Sequence, residues 1–368
     1  MSEPPLQDGG QKEGFTMVEM IDYLRKAVET GASDIFVVAG GAVSCRQSGR
    51  LCAMDESRVM PPDTERLITS LYEMAGRSTD SYREKGDDDF SFAVNGLARF
   101  RVSAYRQRGS LAAVIRVVSF SIPNWKEYGI PEQVMALANV THGLILCTGT
   151  AGSGKSTTQA CIIDRINQTR GCHIITLEDP IEFLHRNNKS LISQREIAID
   201  TGDYLSALRA CLRQAPDVIL LGEMRDPETI RTAITAAETG HTVIATLHTK
   251  GTANSVDRII DAFPAEQQGQ IRIQLAAVLH TVVSQQLIPT VEGGLVPAFE
   301  VMCSNSAVRN LIREGKCHQL PSAINSGASD GMIAMDQSIL ELFMSGRITK
   351  ESVLEHADNP EQMARRLG

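Results

Sequence analysis

Two rhythms of apolar residues divide this chain. In the first third they alternate with polar ones: Phe90, Phe92 and Val94 take every second place, Asn95-Gly96 follows, and Phe100, Val102 and Ala104 alternate back. Period two marks a half-buried strand, and Asn-Gly between two such runs predicts a hairpin. A second turn at Arg108-Gly109 leads into Leu111–Val118, which completes a predicted meander. Upstream, Thr16 and Glu19 have capping-box spacing, and Met20, Ile21, Leu24, Ala27 and Val28 follow at helical spacing until Gly31. Strand-like pieces are expected at 34–38, at 43–45 and after Ser48-Gly49. Residues 61–86 begin as a helix, with Leu67, Ile68 and Leu71 on one stripe. Helix plus antiparallel strands predicts a small α+β domain over 16–118.

From about residue 132 the alternation stops. Leu144–Cys147, His173–Leu177, Val218–Leu221 and Val243–Ala245 are short unbroken apolar runs. Such runs predict parallel strands covered on both faces, with helices between them. Asp226-Pro227-Glu228 is a helix start and Gly240 a stop. Beyond residue 264 the pattern is mostly helical, apart from a hairpin-like piece near 288–301. Residues 119–131, with Pro123, Gly129 and Pro131, read as a linker between the two rhythms, 1–15 as a disordered tail, and 132–368 as the second domain.

Composition narrows the picture only a little. With 368 residues, 42% of them hydrophobic, two or three cores can form. No run approaches 18 apolar residues and the N-terminus lacks the basic and apolar regions of a signal peptide, so a cytoplasmic product is expected. A formal charge of −8 argues against nucleic acid as a partner. None of the eight cysteines forms CxxC; buried reduced thiols are expected rather than a zinc site.

The candidate chemistry starts at Gly149-Thr150-Ala151-Gly152-Ser153-Gly154-Lys155-Ser156, followed by Thr157, which fits G-x-x-x-x-G-K-[ST] between a strand and a helix. Small residues let successive N–H groups curl round an anion, Lys155 reaches the β- and γ-phosphates, and the Ser156 hydroxyl can ligate Mg²⁺. A nucleoside triphosphate with Mg²⁺ is therefore the expected ligand. Hydrolysis also needs carboxylates and positive charge. Glu178 ends one strand, with Asp179 and Glu182 close behind it, and is placed to orient or deprotonate water. Glu223 ends the run Val218–Leu221 as a Walker B acid would, a ligand to Mg²⁺ partly through water. His241 and His248 bracket a fourth strand and are expected to sense phosphate. In the meander, Arg99, Arg101, Arg106, Arg108 and Arg116 have no local counter-charge in the sequence. They read as a solvated basic face, or as arginines offered to nucleic acid or to a neighbouring subunit's phosphates, a service worth roughly 10³–10⁵ in rate. In the last case an isolated protomer should be nearly inert.

These motifs resemble the type IV pilus retraction ATPases, the PilT family of secretion and pilus-assembly ATPases. The likeness runs from Met17 to the C-terminus through GASDIFVVAG (31–40), ARFRVSAY (98–105), TGTAGSGKSTT (148–158), IITLEDPIEF (174–183), SQREIAIDT (193–201), LRQAPDVILLGEMRDPET (212–229) and AAETGHTVIATLHT (236–249). It implies a PAS-like N-terminal domain and a RecA-like P-loop ATPase domain with a helical C-terminal part, in a hexameric ring. Glu178 would be the catalytic glutamate, Glu223 the Walker B acid, His241 and His248 the His box, and Arg101 and Arg116 the arginines given in trans. Arg209 and Arg213 would lie near the ring interface. Ser306–Glu314 resembles the AIRNLIRE element of retraction motors, and no tetracysteine motif of extension motors is present. The implied role is ATP-driven pilus retraction and twitching, at the inner face of the cytoplasmic membrane, against a membrane platform protein and beside a possible second pilus ATPase. The alternatives are a secretion or DNA-uptake motor and an accessory nucleotide binder of low turnover.

Overall fold

A computed structural model describes residues 19–47, 49–118 and 122–367. The expected tail and Thr16 of the expected capping box lie outside these residues. The chain divides after Ser119 into two compact units.

The first unit is a six-stranded antiparallel sheet in the order β3-β2-β1-β6-β5-β4. Its strands are β1 (Asp34–Val37), β2 (Ala42–Gln47), β3 (Arg50–Arg58), β4 (Asp87–Val94), β5 (Ala98–Gln107) and β6 (Ser110–Val118). The meander forms as its alternation requires. Phe90, Phe92, Phe100, Val102 and Ala104 are all buried, together with residues of α1 (Met20–Glu29), α2 (Pro61–Met74) and α3 (Asp80–Lys85). A file of rings holds this core, with centroids 5.7 Å apart for Tyr82 and Tyr72, 4.6 Å for Tyr72 and Phe90, and 5.5 Å for Phe92 and Phe100. At the second turn Arg108 and Gly109 both have positive φ (48° and 79°), the twist that suits a two-residue hairpin. The helical stretch expected over 61–86 is two helices, because the chain turns at Gly76 with φ 63°.

Register across the opposite face lines up Ser91, Arg101, Arg116, Asp34 and Arg46 on five neighbouring strands. Arg116 Nε donates to Asp34 Oδ1 at 3.0 Å. The basic cluster therefore does have a local counter-charge, contrary to the expectation from sequence. Asp34 is 82 residues from Arg116 in the chain and reaches it only through sheet pairing.

The second unit is a seven-stranded sheet in the order β13-β12-β7-β11-β10-β8-β9. Strands β7 (Gly143–Thr148), β8 (His173–Glu178), β9 (Leu191–Glu196), β10 (Val218–Leu221), β11 (Thr242–Leu247) and β12 (Leu279–Pro289) are parallel, and β13 (Leu295–Cys303) is antiparallel to β12. Neighbouring residues enter opposite cores. Leu144, Ile175, Ile219 and Val243 join α6 (Tyr204–Cys211), α7 (Pro227–Glu238), α8 (Thr252–Asp261), α9 (Ala265–Val278), α10 (Ser306–Arg313) and α11 (Leu320–Ser326). Ile145, Ile174, Leu220 and Ile244 join α4 (Glu132–Met135) and α5 (Lys155–Thr169). Both faces are covered, which is why these strands read as unbroken apolar runs. Helices α12 (Met335–Met344), α13 (Lys350–His356) and α14 (Pro360–Leu367) pack on the β12–β13 hairpin.

Three details differ from expectation. The hairpin runs over 279–303, because Leu279–Val283 continues the apolar pattern of α9 with no glycine or proline between them. Strand β9 is half exposed at the sheet edge and has no apolar run to betray it. Ile122, Trp125 and Ile130, expected in the linker, pack into the α4–α5 core. The cysteines are unpaired and mostly buried, but Cys52 is exposed. No helix among the described residues is long and apolar enough to cross a membrane.

Candidate active site

Sheet order brings together what the sequence keeps apart. The carboxyl ends of β7, β11, β10 and β8 open on one cleft of about 560 Å³, where ligands of open parallel sheets sit. Residues 149–154 leave β7 and close on the N-terminus of α5. This loop is moulded against β12. A Cβ on Gly149 would come 2.3 Å from the Gln285 carbonyl oxygen, and one on Gly154 would come 2.7 Å from Gln285 Nε2. Both positions have positive φ, 142° and 87°, so glycine is required at both, and at Gly149 the backbone contact excludes a side chain as well. Gln285 Oε1 in turn accepts from Thr158 Oγ1 at 2.7 Å on the first turn of α5.

Lys155 is buried, and its Nζ donates to the carbonyls of Gly149 (2.8 Å) and Thr150 (2.7 Å). Burial lowers its pKa. Two neutral carbonyls hold this ammonium, and a phosphate would hold it far more strongly. Ser156 and Thr157 line the cleft beside it.

Glu178 ends β8 facing the same space. Thr176 Oγ1 donates to its Oε1 at 2.6 Å and Gln194 Nε2 at 3.2 Å. Burial pushes its pKa up, and these two hydrogen bonds only partly offset that. A carboxylate so placed is a stronger base than one in water. Glu223, just past β10, is buried, with Oε2 2.6 Å from Arg225 Nε and 3.6 Å from His248 Nε2.

Glu178, Asp179, Glu182 and Glu223 line the cleft against only Lys155 and Arg225. A triphosphate would meet a net negative wall, which a divalent cation would neutralise. The Ser156 hydroxyl and the Glu223 carboxylate are hard oxygen donors of the kind Mg²⁺ takes. No cluster of three or more His, Cys, Asp or Glu among the described residues could hold a metal. The ion would therefore need phosphate oxygens and water to complete its shell.

His241 does not fit its expected role in this cleft. It precedes β11, about 20 Å along the strand from His248 at the strand's rise per residue, and does not line the cleft. Its Nδ1 sits 2.9 Å from the Ala236 carbonyl and 3.1 Å from Thr239 Oγ1, at the end of α7. Two ends of one parallel strand lie on opposite edges of the sheet, so only one of them can face the ligand. Arg101 and Arg116 belong to the first unit. Arg209 pairs with Glu228 at 2.9 Å, and Arg213 Nη1 donates to the Arg209 carbonyl at 3.0 Å.

Several lining residues escaped the sequence reading. Tyr204, at the start of α6, puts its hydroxyl 2.7 Å from where a Gly222 Cβ would stand. Burial and the charges of Glu223, Asp179 and Glu178 raise its pKa. His185 is pulled down to about 4 by burial and so is neutral near pH 7. Gln159 Nε2 donates to Thr246 Oγ1 at 2.8 Å and ties the first turns of α5 to the end of β11. None of these lies within a phosphate-loop or strand-end pattern.

A family model described as "Type II/IV secretion system protein" matches residues 11–362. Over 347 residues the chain is 43% identical to the type IV pilus retractation ATPase PilT of Pseudomonas aeruginosa, covering 94% of this chain and 99% of that one. It is 41% identical over 346 residues to a twitching motility protein of Neisseria gonorrhoeae, covering 94% and 92%. The crystal structure of the pilus retraction motor PilT with bound ADP superposes with a TM-score of 0.87 at 44% identity, covering 95% of this chain and 99% of that one. This chain therefore belongs to the type II/IV secretion system protein family, among the relatives of the pilus retraction ATPase PilT.

Proposed function

We propose that this chain is an ATP-hydrolysing motor that powers type IV pilus retraction. The observation that carries the reading is the convergence of Lys155, Ser156, Glu178, Glu223 and His248 on one cleft at the carboxyl edge of the sheet. In this reading the backbone N–H groups of residues 149–156 and Lys155 grip the phosphates. Glu178 orients the attacking water and accepts its proton as oxygen bonds to the γ-phosphorus and the bond to ADP breaks. Ser156 and Glu223 hold Mg²⁺, which when bound neutralises charge on the phosphate oxygens. His248, beside Glu223, reports whether the γ-phosphate is present.

The finer assignments complete the proposal. The first unit is PAS-like, the second RecA-like, and six protomers form a ring at the inner face of the cytoplasmic membrane, working on a platform protein. Arg101 and Arg116 serve a neighbour's cleft across the ring interface, where Arg209 and Arg213 also lie.

Steady-state ATPase assays on the purified full-length chain test the core of this reading. Lys155→Ala is expected to lose nucleotide binding. Glu178→Gln should bind nucleotide and turn over roughly 10²–10⁴-fold more slowly, the usual worth of a positioned base. A Glu178→Gln protein as fast as wild type would end the hydrolytic reading, and normal piliation and twitching in a deletion strain would end the retraction role.

A further inference from the structure

His248 is about half exposed, and its one described polar neighbour is Glu223 Oε2 at 3.6 Å, too far for a direct hydrogen bond. No described hydrogen bond of its own fixes this side chain. Its place depends on the backbone of the loop that carries it, from β11 to α8.

That loop is anchored from a distant part of the chain. Helix α8 opens on Gly251, whose φ of 83° only glycine tolerates well and which has no side chain to cap the helix. The missing caps come from the C-terminal hairpin. The Thr252 N–H donates to Glu300 Oε1 at 2.7 Å, and the Gly251 N–H donates to Ser284 Oγ at 3.0 Å. Ser284 and Glu300 are direct cross-strand partners on β12 and β13, so one rung of the hairpin closes two successive N–H groups. Internal bonds stiffen what lies between. Thr249 Oγ1 is 2.6 Å from Ser255 Oγ, which donates to the Gly251 carbonyl at 2.7 Å, and Asn254 Nδ2 donates to the Lys250 carbonyl at 3.0 Å.

Glu300 is an expensive way to do this if folding alone is at stake. It is 8% exposed, and a buried carboxylate costs stability unless its charge is matched. What offsets part of that cost is the positive end of α8 with the Thr252 N–H, helped by the Met335 backbone, while burial still raises the Glu300 pKa. The next residue on β12, Gln285, holds the phosphate loop, so a single strand fixes both the loop that grips phosphate and the loop that would sense it.

We propose that Glu300, with Ser284 beside it, is a positioning residue that holds His248 in register with Glu223 for hydrolysis. This inference rests on the reading of His248 as a site residue given above.

The test compares turnover and ADP affinity of the full-length protein as Glu300→Ala, Glu300→Gln, His248→Ala and the Glu300→Ala/His248→Ala double variant. Glu300→Ala is expected to lower kcat roughly tenfold or more, the scale seen when an outer partner of a site residue is removed. The Kd for a fluorescent ADP analogue should stay within about twofold, because the phosphate loop keeps its own anchor. Glu300→Gln keeps one acceptor oxygen and should recover most of the rate. Because Glu300 acts through His248, the double variant should be no slower than the slower single variant. Losses that multiply in the double variant, an unchanged kcat in Glu300→Ala, or a Kd that rises in step with the lost rate would each overturn the inference. Should Glu300→Ala not fold, Ser284→Ala in the same cycle with His248→Ala decides by the same criterion. A His248→Ala protein as fast as wild type removes the role of His248 and the inference together. A slow one whose loss multiplies removes the inference alone.

Discussion

The antiparallel sheet of the first unit and the parallel sheet of the second display their chemistry in different places. In the first, alternate strand residues enter one core with the helices, and the other set carries a row in which Arg101, Arg116, Asp34 and Arg46 pair across neighbouring strands. In the second, α-helices bury both faces, and the charged side chains of the cleft stand where β8, β10 and β11 end. A residue's chemical role thus depends on its parity in one unit and on its place along the strand in the other. Arg101 and Phe100 are neighbours with opposite fates in the first. His241 and His248 flank one strand in the second, and only His248 faces the cleft.

The sharpest test of the first rule is Arg101→Ala. Turnover of the assembled protein is expected to fall by roughly 10³ or more, as when a trans arginine is removed, with nucleotide affinity of the isolated protomer unchanged. Wild-type turnover would leave the arginine row a solvated face. Arg116→Ala should add a loss of about 1 kcal/mol in stability, because buried Asp34 would keep only the Ser33 hydroxyl at 2.8 Å as a described side-chain partner.

Shifting attention one residue inward, Phe100→Ala should destabilise the first unit by about 3–5 kcal/mol, since it empties a fully buried ring site. Scanning calorimetry should show the shift, and nucleotide affinity of the second unit should be retained. A change under about 1 kcal/mol would mean that parity does not govern burial there.

For the second unit, the pH dependence of kcat reports on Glu178. A base works only when ionised, and burial raises the Glu178 pKa above its ordinary 4.5. Rate should therefore fall as pH is lowered, with a midpoint above 4.5, and Glu178→Gln should lack that limb. A midpoint at or below the ordinary carboxylate value would contradict the buried base.

The smallest expected effect is the most pointed one. His241→Ala should change kcat by no more than about twofold, as for a surface residue away from the site. His248→Ala should cost far more. Equal losses would mean that both ends of β11 matter to hydrolysis and would break the rule of strand ends.

How much of this was legible in advance follows from the same contrast. Alternation exposed the meander, because Phe90, Phe92, Phe100 and Val102 record one buried face directly. Mostly apolar runs exposed β7, β8, β10 and β11, because burial on both faces leaves few polar positions. The phosphate loop was legible because its job is done by backbone and by adjacent residues. Strand β9 was not, since a half-exposed edge strand has neither signature. The opening of β12 was hidden because its apolar residues run on from α9 without a stop. Tyr204, Gln159 and Gln285 were silent because each acts on a residue far away in the chain.

The order of residues alone determined that a triphosphate loop exists, that two kinds of sheet form, and which carboxylates end strands. Local pattern suffices there because each property is set by residues within a few positions of one another. Only the tertiary structure decided that His248 and not His241 meets Glu223, that Asp34 neutralises Arg116, and that Glu300 holds the start of α8 from 48 residues away. Those pairings follow from strand order and register, and it is the packing of the whole sheet that sets them.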